Sequence, residues 1–321
     1  MRICIAGAGA IGGVLAARLA AGGHTVSMLA RGKTLEALLA EGLSLNDLHG
    51  LTQVRVAASD RPEFGIQDVI FVCAKTQDLP GLLPQLAPLM DAGTVVVPTG
   101  NGVPWWYFYR EGGRFDGEQV QAVDPGGRMR GWVPDAQVVG SVLFITAEVV
   151  SPGVIVAGNP HLIVLGEPSG EMTSRLEKIR AALEGAGIEA RATDRIRDKV
   201  WTKIIANISS NPLSVVTHAT LEQLYGQPEL SAVVSQIMRE VLLVAGSYGA
   251  RVDIDPLTFL ELGRAMGPFR TSMLQDLERG RPLEIAAIGD AVLELAQRFD
   301  LPMPITRTVL SLARFRGASA A

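Results

Sequence analysis

The sequence predicts an α/β fold in which a doubly wound parallel sheet at the N-terminal end is followed by an all-helical C-terminal domain. Three observations predict it. Short β-branched runs alternate with helical stretches through the first hundred residues, the pattern that lays parallel strands between covering helices. Strand-like text nearly vanishes after about Thr193, where Ala-, Leu-, Glu- and Arg-rich segments take over. A length of 321 residues corresponds to about two domains at roughly 150 residues each, with the expected division between 1–192 and 193–321.

Taken in order, Arg2 to Ala6 reads as the first strand, and Ala10 to Ala21, Ala- and Leu-rich without Pro, as a helix stopped by Gly22-Gly23. Thr25 to Leu29 is the second strand, and Val69 to Cys73 and Thr94 to Val97 are further short buried strands. Between these last two a helix is expected from about Leu79 to Met90, although it contains Pro80, Pro84 and Pro88. From about 104 to 136 an aromatic-rich, partly irregular insertion begins with Trp105-Trp106-Tyr107-Phe108-Tyr109. That run suits a platform for a flat ligand or the lining of an entrance, and equally a hydrophobic plug or an oligomer contact. Strand text resumes from Gln137 to Val150, turns at Ser151-Pro152-Gly153, and continues through Val154 to Val156 and His161 to Leu165, an expected antiparallel extension of the sheet. The remaining helical text, to about Arg316, is expected to break at Pro212, Pro228, Pro256 and Pro282.

Composition excludes several classes. With 48% hydrophobic residues, 19% charged residues and a mean hydropathy of +0.25, the chain is globular rather than disordered. A net charge of −4 offers no global positive field for a phosphate backbone, so nucleic acid is not an expected partner. Apolar runs such as Val69 to Ala74 fall far short of the ~20 residues that span a bilayer, and the apolar start is too short for a secretory signal. A cytoplasmic protein without a membrane span is expected. Cys4 and Cys73 sit in separate apolar runs and read as reduced core thiols. The histidines His24, His49, His161 and His218 show no metal-ligand spacing, so no metal is predicted, and no Gly-x-Ser-x-Gly elbow offers a nucleophilic serine.

The strongest local signal is Gly7-Ala8-Gly9-Ala10-Ile11-Gly12, which follows a strand and opens a helix. Gly7 permits the tight turn, Gly9 lets the backbone approach a pyrophosphate, and Gly12 lets helix and strand pack closely, the Rossmann-type arrangement for a dinucleotide. At the end of the second strand, where an NAD site usually carries a carboxylate, the chain reads Leu29-Ala30-Arg31-Gly32-Lys33. A guanidinium can stack on adenine and grip a 2′-phosphate, so Arg31, with Lys33 nearby, points to NADP(H). A solvated loop pair is the plainer reading. Gly32-Lys33-Thr34 imitates the end of an ATPase phosphate loop, but Ser27 stands where that loop needs glycine.

A second cluster lies in the helical half. Lys203, Asn207 and Asn211 are spaced by four and form one polar stripe on a helix whose other sides carry Ile204, Ile205 and Ile208. Two amides and a lysine beside apolar neighbours suit a semi-buried polar cleft, with a solvated surface stripe as the alternative. A third cluster runs from Ser272 to Glu284, where Gly280 and Pro282 break a helix and Glu284 starts another, a position that dipole capping alone would also explain.

Together these clusters resemble the ketopantoate reductase (2-dehydropantoate 2-reductase) family over nearly the whole chain. The matching pieces are Gly7 to Gly12, Arg31, Ala74-Lys75-Thr76, Asn101-Gly102, Lys203 with Asn207 and Asn211-Pro212, and Ser272-Met273-Leu274-Gln275-Asp276 with Glu284. The resemblance implies NADPH-dependent reduction of a small-molecule 2-oxo acid, ketopantoate to pantoate first among candidates. It implies Lys203 as general acid and Glu284 as the carboxylate orienting lysine and substrate. It further implies Asn207, Asn211 and Ser272 on the substrate, Asn101 beside nicotinamide and substrate, and Lys75 near the cofactor phosphate or ribose. Where the family commonly continues Ile-Asp after the glutamate, this chain has Ile285-Ala286, and its insertion is longer than in compact members. A bulkier 2-oxo acid or related carbonyl is therefore the alternative substrate. A non-catalytic NADP-binding sensor would keep the glycines and Arg31 but have no use for Lys203 and Glu284. Apolar faces in the helical half leave room for a homodimer.

Overall fold

The computed structural model describes residues 1–252 and 255–320, which form two compact units. The first comprises residues 1–100, 105–119 and 126–196, and the second residues 101–104, 120–125 and 197–321. Two short pieces around the aromatic insertion thus belong with the helical unit rather than with the sheet.

In the first unit β1 (Arg2–Ala6), α1 (Ala10–Ala21), β2 (Thr25–Leu29) and α2 (Gly32–Ala40) lead into a hairpin of β3 (Leu43–Asp47) and β4 (Gly50–Val54). Then come β5 (Ala57–Ser59), β6 (Val69–Val72), the single turn α3 (Leu79–Leu82) and β7 (Val95–Pro98). The main sheet is wholly parallel, in the order β5-β2-β1-β6-β7. Its central strands β1 and β6 are buried almost throughout, as β-branched runs covered on both faces must be. The helix expected from Leu79 to Met90 is a correction. Only α3 is α-helical there, and a tighter 3-10 stretch continues to Leu89, because Pro84 and Pro88 lack the N–H groups a regular helix needs.

After α4 (Met129–Trp132), the strands β8 (Gly140–Phe144), β9 (Ala147–Ser151), β10 (Val154–Ala157) and β11 (Leu162–Gly166) precede α5 (Ser174–Gly185) and β12 (Glu189–Ala192). These strands do not extend the main sheet as expected. They divide between two smaller sheets, ordered β4-β3-β10-β9 and β12-β11-β8, and a bridge between Val96 and Val138 pairs β7 with the residues before β8. β10 pairs in parallel with β3 of the β3–β4 hairpin and so lies in the smaller sheet. Trp105 to Tyr109 are all buried, with the Trp106 ring against Gly140 and Tyr107 edge-on to Phe108 at 4.8 Å. The run is core, a plug rather than a platform.

The second unit holds α6 (Ile196–Thr217), α7 (Leu221–Gly226), α8 (Pro228–Ser247), α9 (Pro256–Ala265), α10 (Ser272–Glu278), a π-turn at Ala286–Asp290, α11 (Ala291–Gln297) and α12 (Pro304–Ala320). Pro228 and Pro256 start helices, where a missing N–H costs nothing. Pro282 lies in the non-helical stretch before the π-turn. Pro212 does not break the chain as expected but sits inside α6. Ile208, Ser209, Leu213 and Val215 on either side of it are buried, and that packing outweighs the ~3 kcal/mol penalty of an interior proline. Among the described residues α8 is the helix long and apolar enough to cross a bilayer; its Val234, Ile237, Met238, Val241, Val244 and Ala245 are buried inside this unit.

Candidate active site

In the first unit β1 ends at Ala6 and α1 begins at Ala10, so Gly7-Ala8-Gly9 is the whole turn. Gly7 has φ +119°, and a Cβ there would lie 2.7 Å from the Cys73 carbonyl oxygen at the end of β6. A Cβ on Gly12 would lie 2.0 Å from the Gly7 carbonyl oxygen. Gly9 differs, since a Cβ there would meet nothing within 4 Å. Two glycines thus serve packing, while the middle one faces open space at a helix N-terminus with no side-chain cap and no acidic residue in its first turn. Free N–H groups and a positive dipole end make that an anion cradle, so the residues present fit a dinucleotide pyrophosphate.

Arg31 follows the tip of β2, is exposed, and donates from Nη2 to Gln85 Oε1 at 3.2 Å. No carboxylate stands between Leu29 and Leu35. Lys75 is half-buried at the turn after β6. Cys4 and Cys73 are free thiols, each pushed up to about 12 by burial, which leaves them unreactive.

The second unit carries the other candidates. Lys203, Asn207 and Asn211 occupy consecutive turns of α6. Burial pushes the half-buried Lys203 ammonium down to about 8, while the Glu284 carboxylate pulls the other way. The Nδ2 atoms of Asn207 and Asn211 are buried and meet no hydrogen-bond partner within the protein. An unmet buried donor costs about 1–3 kcal/mol, so two on one stripe are open to an acceptor from outside, a water or a bound molecule. Ser210 Oγ donates to the Ala206 carbonyl at 2.7 Å and lies 3.2 Å from Asn211 Oδ1.

Ser272 is the exposed first residue of α10. Thr271 caps that helix by accepting the Leu274 N–H at 3.1 Å, and its hydroxyl lies 2.6 Å from Ser214 Oγ on α6. Glu284 is buried; its carbonyl accepts the Ile288 N–H at 3.2 Å, placing it at the start of the final helical run. Asn101 is half-buried, and two residues later the Val103 N–H donates to the Ala287 carbonyl at 2.9 Å. Lys203, Asn207, Asn211, Ser272, Glu284 and Asn101 therefore belong to one unit, and Gly7 to Gly12, Arg31 and Lys75 to the other. The Ser214–Thr271 tie and the π-turn were not foreseen; only Thr271 left a trace in the sequence, as a capping residue three before Leu274. Among the described residues no group of three or more His, Cys, Asp or Glu could hold a metal ion.

Comparison with known proteins agrees over the whole chain. Residues 3–105 match the family model "Ketopantoate reductase PanE/ApbA", and residues 195–317 match "Ketopantoate reductase PanE/ApbA C terminal". A 2-dehydropantoate 2-reductase from Mesorhizobium japonicum is 41% identical over 317 residues, covering 98% of this chain and 97% of the relative. The crystal structure of 2-dehydropantoate 2-reductase from Geobacter metallireducens GS-15 matches with TM-score 0.87 and 28% identity over 98% of this chain and 99% of that one. D-mandelate dehydrogenase, solved with NADH and anilino(oxo)acetate, shares the fold at TM-score 0.84 and 19% identity, covering 100% of this chain and 99% of that one. The chain belongs to the ketopantoate reductase family and is an NAD(P)H-dependent oxidoreductase.

Proposed function

We propose that the protein reduces ketopantoate (2-dehydropantoate) to pantoate with NADPH, with Lys203 as the proton donor. The observation that carries this reading is the α6 stripe: an ammonium held at about 8, opposed by a buried carboxylate, in line with two buried amide donors that lack partners. When bound, NADPH supplies hydride to the ketone carbon. The charge that builds on the ketone oxygen needs a positive group to stabilise it and a proton to quench it, and the Lys203 ammonium offers both. Glu284 keeps Lys203 protonated by opposing the effect of its burial. Asn207 and Asn211 present N–H donors suited to the substrate's carboxylate and hydroxyl, with Ser272 and Asn101 as further contacts.

NADPH rather than NADH is favoured by Arg31, a guanidinium at the position where a 2′-hydroxyl reader would carry a carboxylate. Lys75 is assigned to the cofactor phosphate or ribose. The test is NADPH consumption by purified protein with ketopantoate, beside a panel of bulkier 2-oxo acids and an NADH control. Turnover confined to ketopantoate and NADPH supports the reading in full. Turnover of a bulkier acid alone overturns the substrate while keeping the chemistry, and Ala286, which is exposed, is then the first position to exchange.

A further inference from the structure

The geometry points to Gly102 as a positioning residue: its bare Cα lets the segment carrying Asn101 press onto the carbonyl that the π-turn sets free, fixing Asn101 against the helix start that carries Glu284. This rests on the roles given to Asn101 and Glu284 above.

In a regular α-helix the Ala291 N–H would bond the Ala287 carbonyl, four residues back. Here Ala291 donates to Ala286 instead, five residues back, and Ala287 accepts the Val103 N–H at 2.9 Å. The contact is as close as a peptide permits. A Cβ on Gly102 would lie 2.3 Å from the Ala287 oxygen, 2.4 Å from its carbonyl carbon and 2.8 Å from the Ile288 nitrogen, all backbone atoms that cannot swing aside. Gly102 also has φ +83°, which disfavours any side chain. On its other side the π-turn is held by Gly289, where a Cβ would lie 2.4 Å from a Leu310 methyl on α12. The turn thus packs against Gly102 on one side and Leu310 on the other. Asn101 is one residue from Gly102 and Glu284 three from Ala287, so one hydrogen bond and one bare Cα register two candidate site residues from segments 183 positions apart. π-turns of this kind often mark functional sites, because the extra residue frees a carbonyl.

Gly102→Ala tests this. The expected result is a folded protein that binds NADPH as the parent does, measured by cofactor fluorescence. Its kcat/KM falls roughly 10- to 100-fold, through both a raised KM for the 2-oxo acid and a lowered kcat, as for a site displaced by about 1 Å. The alkaline limb of kcat should also move to lower pH as Glu284 loses its hold on Lys203, which a merely structural defect would leave in place. Gly102→Asn tolerates the positive φ but carries the same Cβ, so it should be as damaging. Parent-like kinetics in either folded variant overturn the positioning role. Should both variants fail to fold, hydrogen exchange at Val103 in the parent decides, slow exchange supporting the lock and rapid exchange refuting it. A parent protein that reduces no 2-oxo acid defeats the functional reading and this inference with it, whereas an active parent with undisturbed variants defeats this inference alone.

Discussion

In the first unit the buried carboxylate of Asp47 is surrounded by donors, whereas in the second the buried Nδ2 groups of Asn207 and Asn211 meet no acceptor. Arg18 Nε donates to Asp47 Oδ2 at 2.9 Å, a second guanidinium N–H bonds Oδ1, the His49 backbone N–H donates to Oδ1 at 2.9 Å, and His161 Nε2 lies 2.8 Å from Oδ2. Burial alone would raise the Asp47 carboxyl, but these partners outweigh it and hold it at about 2. His161 Nδ1 is left without a partner, but with the ring proton on Nε2 it is only an acceptor, a smaller loss than an orphaned N–H. This cluster ties α1 to β3 and to the residue before β11. Its chemistry is complete inside the protein, so its work is structural. The α6 stripe leaves two donors unmet, as the proposed substrate contacts require.

Breaking the first cluster should give the largest effect on stability. Asp47→Asn leaves Arg18 buried and uncompensated, and should lower unfolding free energy by about 3–5 kcal/mol in denaturant titration, while leaving kcat of the surviving folded protein near that of the parent. Because the folded pKa of Asp47 lies below its ordinary 3.8, its contribution is fully present above about pH 4 and is lost as pH falls toward 2. An Asp47→Asn protein as stable as the parent would erase the contrast between the clusters.

Lys203→Ala should act mainly on turnover. It should lower kcat by roughly 10²-fold or more for loss of the general acid. Removing the lysine relieves the cost of its burial but leaves the buried Glu284 carboxylate without the opposing charge, so the melting temperature should stay close to the parent's. Arg31→Asp comes next, expected to weaken NADPH by about tenfold or more relative to NADH in fluorescence titration, since a carboxylate repels a 2′-phosphate. Equal effects on both cofactors would sink the 2′-phosphate assignment. Asn211→Leu is the mildest on stability. It exchanges an unmet donor for an apolar group of similar volume and should raise stability or leave it unchanged, by about 1 kcal/mol at most, while raising KM for the 2-oxo acid.

Periodicity made the first unit's opening legible. β1, α1 and β2 follow from one apolar run, an Ala- and Leu-rich stretch and a second run, with glycines marking both turns. The polar stripe of α6 was legible for the same reason, since a spacing of four survives any tertiary context that keeps the helix. The β3–β4 hairpin was not seen, because Leu43-Ser44-Leu45-Asn46-Asp47 has a weak apolar pattern, and its other neighbour, β10, lies more than a hundred residues away. Pro212 misled because local propensity was read without burial. The π-turn left no sequence trace; Gly102 and Gly289 reveal their purpose only when Ala287 and Leu310 are seen against them.

The central claim is that Lys203 passes a proton to a 2-oxo acid reduced by NADPH, and the rate of NADPH consumption with ketopantoate across pH tests it most directly. Lys203 acts in its protonated form, so kcat should hold below pH 8 and fall as pH rises through about 8. In Glu284→Gln, where the carboxylate charge no longer opposes the effect of burial, the fall should come at lower pH. A kcat that stays level through this range in the parent, or a limb that Glu284→Gln leaves in place, would contradict the account.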